Sequence, residues 1–171
     1  RSSDCDAHRA SFYPDRHRSS GGVEVKYTVR YAHLAQVFVK PWQALKEGDL
    51  IGIMGNTGQS YGAHLHIDCV RGRQTKKYTL SEIESGKYIS EPKQLNYFID
   101  EKLFGSKPVI TTPYCDYDYQ RLFRKLHFGY DVIPSSADWH IRWNRSKIGS
   151  VSAILDDPEG YGNCVYITFE A

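Results

Sequence analysis

The sequence predicts a mainly β domain built on an antiparallel sheet, with long loops and one short helix. Short runs that alternate apolar and polar residues recur along the chain, and glycine-, proline- and aspartate-rich turn signals separate them. Helical spacing is evident in one segment only. At 171 residues the chain is long enough for one well-buried domain and too short for two.

The predicted strands share β-rich composition and short length. They are expected at residues 23–31 (half-buried, running on into Ala32-His33-Leu34), 36–39, 50–54, from the Gly62–Asp68 stretch through Val70, at 129–134, 148–155 and 164–169. Gly52 interrupts its strand, which indicates a close approach of another backbone. Residues 46–49 predict a turn.

Loops and one helix account for the rest. Residues 1–22 and 71–90 are polar and predict surface excursions, and residues 135–147 predict a loop or irregular strand. Ser90-Glu91-Pro92, followed by apolar residues at helical spacing, predicts a capped helix over residues 91–102. Gly105-Ser106 has the composition of a linker.

Composition excludes several classes of protein. The chain is 40% hydrophobic and 25% charged, and it has no apolar run long enough to insert into a membrane. Its net charge of +2 gives no reason to expect nucleic acid as a partner. Residues 1–30 are nevertheless rich in arginine and histidine, which suits either a solvated loop or contact with a polyanion such as a cell-wall polymer.

The four cysteines, Cys5, Cys69, Cys115 and Cys164, lie far apart, without a Cys-x-x-Cys pair. This spacing argues against a thiolate zinc site or a redox pair, and it leaves two disulfides or four free thiols as alternatives. No signal peptide is visible, and the beginning at Arg1 suggests an excised or rearranged piece.

Two clusters carry chemistry. His64 and His66 are one residue apart on a predicted strand, so their side chains share a face, where one can bind a metal and the other can transfer a proton. His127 and Asp131 offer one nitrogen and one oxygen ligand across a glycine. Two histidines and one aspartate leave a fourth position open, which is the pattern of a catalytic zinc site.

Several segments together resemble the lysostaphin-type (LytM-like) zinc endopeptidases of peptidoglycan. They are Tyr-Ala-His-Leu at 31–34, Glu-Gly-Asp-Leu-Ile-Gly at 47–52, Gly-Asn-Thr-Gly-Gln-Ser-Tyr-Gly-Ala-His-Leu-His at 55–66, and His-Phe-Gly-Tyr-Asp at 127–131. Residues 148–151 and 160–165 resemble further strands of that family. The resemblance implies a lysostaphin/LytM-like sheet, of the duplicated hybrid motif type.

The resemblance also implies roles. It makes His127, Asp131 and His66 the zinc ligands, with His33 and His64 as the two catalytic histidines that exchange protons with a zinc-activated water and the leaving amine. Tyr119 is the candidate transition-state stabiliser, and the expected groove residues are Asn56, Tyr61, Trp139 and Trp143. His8, His17 and His140 match nothing in the family and are expected in loops.

The motifs stand in a different order from that of the family, because the His-x-Gly-x-Asp segment comes last. Joining Ala171 to Arg1 restores the order, which predicts a circular permutant of one peptidase domain. The family's N-terminal half then lies at about 107–171 and its C-terminal half at about 1–104, joined by Gly105-Ser106. Such rearrangements succeed where the ordinary termini are close together.

The expected function is hydrolysis of peptide bonds in peptidoglycan stems or cross-bridges by a monomeric enzyme that acts on the bacterial cell wall, outside the cell or on a phage virion. The alternative is a degenerate relative that kept the fold as a cell-wall-binding or regulatory module. A nucleic-acid binder rests on the basic residues alone. All three ligand positions and both catalytic histidines are present, which favours the enzyme.

Overall fold

The computed structural model describes residues 25–171 and has the predicted mainly β, antiparallel fold. Nine strands are found in this range: β1 Lys26–Val37, β2 Ala44–Leu45, β3 Leu50–Met54, β4 Leu65–Arg71, β5 Pro108–Thr112, β6 Gly129–Pro134, β7 His140–Arg142, β8 Gly149–Asp157 and β9 Gly162–Glu170. Four short helices accompany them: α1 Leu80–Glu84, α2 Pro92–Asn96, α3 Glu101–Phe104 and α4 Tyr117–Phe123. None of these helices is long and apolar enough to cross a membrane.

Strand β1 is the centre of the sheet. The strand order is β2-β8-β9-β1-β4-β6-β5, and every pairing is antiparallel. The first part of β1 pairs with β9 and β4, whereas its last residues pair with β3, which in turn pairs with β7. The sheet thus places β4 and β6, which carry both candidate chemical clusters, side by side.

Burial of β1 differs from the prediction, because the strand is covered on both faces rather than half-buried. Tyr27, Val29 and Tyr31 are fully buried on one face, in the main hydrophobic core with residues such as Trp143. Thr28, Arg30 and Ala32 are buried on the opposite face. The strand also runs on to Val37, so the separate strand predicted at 36–39 is wrong.

Other local predictions are confirmed. β3 has the predicted bounds, and a Cβ on Gly52 would collide with the carbonyl oxygen of Gln36, which is the close approach inferred from the sequence. The turn at 46–49 closes with Asp49 N donating to Lys46 O at 3.0 Å. The strands predicted in the last quarter of the chain are β6, β8 and β9.

The helix predictions need correction. The segment 91–102 contains α2 and only the first two residues of α3, which runs on to Phe104, and the residue before α2 is Glu91 rather than a serine cap. Helices α1 and α4 were not predicted, although both begin at caps: Thr79 forms a capping box with Glu82, and the Asp116 side chain accepts from Tyr119 N. Strand β5 was not predicted, whereas β7 lies within residues 135–147, where a loop or irregular strand was expected.

Gly105 ends α3 with a left-handed φ of 78°, a conformation in which glycine is favoured. The end of α3 is therefore a local reason for the glycine in Gly105-Ser106. The circular permutation and its division of the chain into two halves stay a prediction.

Cys115 is disulfide-bonded, whereas Cys69 and Cys164 are buried free thiols, so neither two disulfides nor four free thiols describes the chain. The surface loop predicted at 1–22 lies outside the described residues.

Candidate metal centre

Strand register brings the two predicted clusters together. His66 on β4 is directly opposite Asp131 on β6, and His127 lies just before β6 begins. His66 Nδ1 is 3.1 Å from Asp131 Oδ1, and His127 Nε2 is 3.2 Å from the same oxygen. One potential ligand atom from each residue lies within 4.8 Å of the others, which makes these three residues a metal-sized cluster.

The remaining nitrogen of each imidazole already has a hydrogen-bond partner. His127 Nδ1 donates to the carbonyl oxygen of Pro113 at 3.1 Å, and His66 Nε2 donates to Asp68 Oδ2 at 2.9 Å. Because a carbonyl or carboxylate oxygen can only accept, these bonds use the outer nitrogen of each ring as a donor and leave His127 Nε2 and His66 Nδ1 facing the cluster. Two imidazole nitrogens and a carboxylate oxygen are a donor set that fits Zn²⁺.

Hydrogen bonds and charge attraction between Asp131 and the two histidines stabilise the cluster even without a cation. Burial opposes ionisation of Asp131, but hydrogen bonds from His127 and His66 outweigh it and hold the pKa of that carboxyl well below its usual range. Burial likewise opposes the charged form of His66, but hydrogen bonds to Asp131 and Asp68 raise its pKa to about 9. Asp131 is therefore ionised, and the positive charge of protonated His66 balances the negative charge of Asp131 when no cation is present.

His64 lies immediately before β4, and its side chain is 18% exposed. Its Nδ1 donates to Gly62 O at 2.8 Å and lies 3.2 Å from Ser60 Oγ. Its Nε2 is 3.6 Å from Asp131 Oδ1, farther than either of the two neighbouring imidazoles. The turn preceding β4 thus orients His64 beside the cluster.

His33 reaches the same face through an irregularity in β1. Between Tyr31 and Leu34 the pairing with β9 shifts by one residue, and His33 has a left-handed φ of 65°. Such a β-bulge re-aims a side chain. The His33 ring lies 4.8 Å from that of His64 and 6.4 Å from that of His66, centroid to centroid.

The protonation state of His33 follows from its surroundings. Its Nδ1 donates to Thr57 O at 2.7 Å, and its backbone N–H donates to Tyr161 O at 2.8 Å. Burial lowers the pKa of His33 to about 4, so the ring is neutral at pH 7. With the proton on Nδ1, the Nε2 atom is available as a proton acceptor.

A cavity of about 640 Å³ contains all five of these residues in its lining, together with Tyr119, Tyr61 and Phe123. The Tyr119 ring lies 4.5 Å from that of His127, and burial together with nearby Asp131 raises the pKa of its hydroxyl. Tyr61 and Phe123 stack at 6.3 Å with an interplanar angle of 16°. The predicted groove residue Tyr61 therefore does lie along the cavity.

The other predicted groove residues do not line this cavity. Trp143 is fully buried in the main core and donates from Nε1 to Lys147 O, so its assignment to a groove wall is wrong. Trp139 and Asn56 also lie outside the lining, and Asn56 instead accepts from Gly62 N within the turn before His64. His140, expected in a loop, begins β7. His8 and His17 lie outside the described residues.

Sequence reasoning missed a buried ion pair behind the site. Asp68 continues the face of His64 and His66 two residues further along β4, and it pairs with Arg30 of β1. The His-x-His-x-Asp alternation was visible in the sequence and is the signal that would have identified Asp68. Nothing local pointed to Arg30, because its position opposite Asp68 depends on the pairing of strands 38 residues apart.

Comparison with known proteins gives one family match, over the part of the chain that contains β1 to β4, and several curated relatives. The sequence model of Peptidase family M23 matches residues 21–78. A peptidoglycan DD-endopeptidase, ShyA, from Vibrio cholerae is 48% identical over 48 residues, which is 28% of this chain and 11% of the relative. An uncharacterized metalloprotease from Haemophilus influenzae is 39% identical over 72 residues, 40% of this chain and 15% of the relative.

A further uncharacterized metalloprotease, from Buchnera aphidicola, is 45% identical over 42 residues, 25% of this chain and 11% of the relative. The aligned part of the chain thus spans only 11–15% of the length of these curated relatives. No solved structure matches the chain significantly. The matches confirm the resemblance predicted from the motifs, and the family match places it on residues 21–78.

Proposed function

We propose that this chain, whose residues 21–78 match the sequence model of Peptidase family M23, is a zinc metalloendopeptidase that cuts peptide bonds in the stem or cross-bridge peptides of bacterial peptidoglycan. The observation that carries the proposal is the convergence of His66, His127 and Asp131 within 4.8 Å of one another in the lining of a cavity. The Vibrio cholerae relative, whose name specifies a peptidoglycan endopeptidase, supports this choice of substrate.

In the proposed site Zn²⁺ would be held by His66, His127 and Asp131, through the imidazole nitrogens and the carboxylate that face the cluster. Zn²⁺, when bound, supplies Lewis-acid polarisation of the scissile carbonyl group. The chain fixes the orientation of both imidazoles through Asp68 and the Pro113 carbonyl, so that His66 Nδ1 and His127 Nε2 face the cluster before any cation arrives. Such preorganisation lowers the cost of assembling the site.

Proton transfer falls to His33 and His64. His33 is neutral at pH 7 and holds its own proton on Nδ1 through Thr57 O, so its Nε2 accepts a proton from the attacking water. His64 also presents Nε2 to the site, because its Nδ1 donates a hydrogen bond to Gly62 O. Their rings are 4.8 Å apart, so both Nε2 atoms face the same reaction space, and the proton taken from the water is handed to the leaving amine as the peptide bond breaks.

The cavity provides the substrate-binding surface. Tyr119 lies against His127 and is assigned the stabilisation of negative charge on the reacting carbonyl oxygen. The stacked pair Tyr61 and Phe123 joins the turn before β4 to the end of α4 along the cavity. Aromatic walls of this kind bind an extended peptide through apolar contact.

The decisive experiment is digestion of purified muropeptides with different cross-bridges, with products identified by mass. Cleavage at one defined peptide bond, abolished by a chelator and restored by Zn²⁺, is the expected result. Cleavage that resists chelation, or no cleavage of any wall type, would overturn the proposal. The alternative of a degenerate binding module is disfavoured because all three ligand positions and both histidines are present.

The remaining assignments follow from this activity. We propose the bacterial cell wall as the place of action and peptidoglycan as the partner, with neither nucleic acid nor membrane insertion involved. The monomeric state and the phage association stay predictions. Gel filtration coupled to light scattering measures the former directly.

A further inference from the structure

The side of His66 that faces away from the metal cluster is held by a buried ion pair. Asp68 Oδ2 accepts from His66 Nε2 at 2.9 Å. The Asp68 carboxylate also accepts from Arg30 through Nε and, at 2.6 Å, through Nη2. Asp68 is 1% exposed and Arg30 is 5% exposed, so both charges are fully within the protein.

The backbone fixes this arrangement. Arg30 and Asp68 are directly opposite one another in the pairing of β1 with β4, and His66 is opposite Ala32 two residues along. Residues at i and i+2 of a strand share one face, so His66 and Asp68 point to the same side as Arg30. The small side chain of Ala32 leaves room for the His66 ring above β1.

Three tyrosine rings enclose the guanidinium group. Its carbon lies 5.5 Å from the ring centroid of Tyr88, 5.6 Å from that of Tyr161 and 5.7 Å from that of Tyr166. Arg30 Nη2 also donates to the Tyr88 hydroxyl at 3.2 Å. These contacts hold Arg30 against Asp68, and both carboxylate oxygens accept hydrogen bonds from it.

The two imidazoles of the cluster are oriented differently. His127 donates its second N–H to a neutral backbone carbonyl, whereas His66 donates to a carboxylate that is itself fixed by two hydrogen bonds. A carboxylate behind an imidazole sets the tautomer of the ring and strengthens the opposite nitrogen as a ligand. A buried ion pair adds little net stability by itself, so orientation of His66 is the better reason for this pair.

We propose that Arg30 and Asp68 form a positioning pair for His66: Asp68 keeps the His66 proton on Nε2 so that Nδ1 faces the metal, and Arg30 holds the Asp68 carboxylate so that it cannot turn toward the site as a competing ligand. This inference rests on the proposed zinc site. It assigns neither residue a direct contact with substrate or metal.

The test compares the zinc affinity of the full chain with that of Asp68→Asn, using competition with a chromophoric chelator. Loss of the carboxylate is expected to weaken zinc binding about 10–100-fold. The matched control is Glu91→Gln, which breaks the buried ion pair between Glu91 and Arg71, outside the cluster and its cavity. That variant is expected to lose stability but to keep its zinc affinity within about twofold, since general loosening acts weakly on a local site.

A second variant and a spectrum separate positioning from mere packing. Arg30→Lys keeps the charge but offers a single donor group, so the visible spectrum of the Co²⁺-loaded protein should change with both Arg30→Lys and Asp68→Asn, and not with Glu91→Gln. In the zinc-loaded wild type, nitrogen-15 chemical shifts of the His66 ring should show the proton on Nε2. This measurement needs no variant, so it tests the proposal even if Asp68→Asn or Arg30→Lys fails to fold.

The outcomes are distinct. A wild-type chain that binds no zinc would overturn the proposed function and this role together. Zinc binding by the wild type, with an affinity and Co²⁺ spectrum unchanged in Asp68→Asn, would overturn the positioning pair alone. A His66 proton found on Nδ1 of the zinc-loaded protein would do the same.

Discussion

His66 and Asp131 lie 65 residues apart in the chain and directly opposite each other in the sheet, with His66 Nδ1 3.1 Å from Asp131 Oδ1. Both belong to regular strands, β4 and β6, so the distance between their backbones is set by the hydrogen bonds of the ladder rather than by a loop. A metal site built on such a pair is rigid. The third residue of the cluster, His127, lies in the segment just before β6.

This geometry separates the roles of His66 and His64. His66→Ala removes a ligand, so zinc binding and peptidase activity are expected to disappear together. His64→Ala leaves all three ligands in place, so zinc is retained while activity falls by about 10²–10⁴-fold. Metal content by elemental analysis and turnover on a muropeptide measure the two effects. Equal loss of zinc from both variants would contradict the division of roles.

The backbone of His33 is expected to be strained, and the strained conformation is the one that places its imidazole beside His64. Its left-handed φ of 65° costs a non-glycine residue about 1 kcal/mol. His33→Gly relieves that strain but loses the hydrogen bond to Thr57 O, so the free energy of unfolding should change by less than about 1 kcal/mol. Activity should nevertheless fall about 10²–10⁴-fold.

His33→Ala is the control for this strain, because alanine loses the same hydrogen bond and keeps the unfavourable backbone. It is expected to be about 1 kcal/mol less stable than His33→Gly in urea unfolding of the metal-free protein. A more stable alanine variant would show that the bulge at His33 imposes no strain.

Tyr119→Phe tests the stabilisation of the developing oxyanion. Phenylalanine keeps the ring against His127 and removes only the hydroxyl, so kcat is expected to fall about 10²-fold with little change in KM or zinc affinity. Tyr117→Phe changes another tyrosine of α4, one outside the cavity lining, and should leave kcat unchanged. Equal kinetics for the two variants would remove Tyr119 from the mechanism.

Gly58→Ala tests the contact between two turns that meet beside His33. A Cβ at Gly58 would collide with backbone atoms of Gly160 and Gly162, and its φ is +73°. Unfolding free energy should drop by about 2–4 kcal/mol from overpacking and strain together. Gly48→Ala has φ +94° but no atom within 4 Å of the new Cβ, so only about 1 kcal/mol is expected. Similar losses in the two would argue against this contact.

Asp138 gives a prediction for pH that is independent of the metal cluster. Hydrogen bonds from the His140 backbone and ring, and from Arg142, lower the pKa of Asp138 to about 2. A carboxyl whose folded-state pKa lies below its unfolded value of about 3.9 stabilises the fold above that value. The stabilisation is lost as pH falls toward 2.

The melting temperature of Asp138→Asn is therefore expected to lie below that of the wild type at pH 7, with the difference closing between pH 4 and pH 2. Thermal unfolding followed by circular dichroism at several pH values measures this. A difference that stays constant down to pH 2 would show that the charge of Asp138 is not responsible.

The sequence by itself determined the class of fold and the membership of the metal cluster. Alternating apolar residues predicted most strands of the described region, because the two-residue period of a strand is a local property. The pairs His64/His66 and His127/Asp131 were recognisable because each lies within five consecutive residues. Short capped helices such as α4 were missed, since a few turns carry too little periodicity to be distinguished from a loop.

The tertiary structure alone decided how the remaining groups meet. Regular alternation along β1 would put His33 on the face opposite to Arg30 and Ala32, and only the bulge before Leu34 turns it toward His64. Arg30 reaches Asp68, and Trp143 enters the core rather than the groove, because of strand pairings between distant segments. Register depends on which strands pair and where, a non-local choice that no single stretch of the sequence contains.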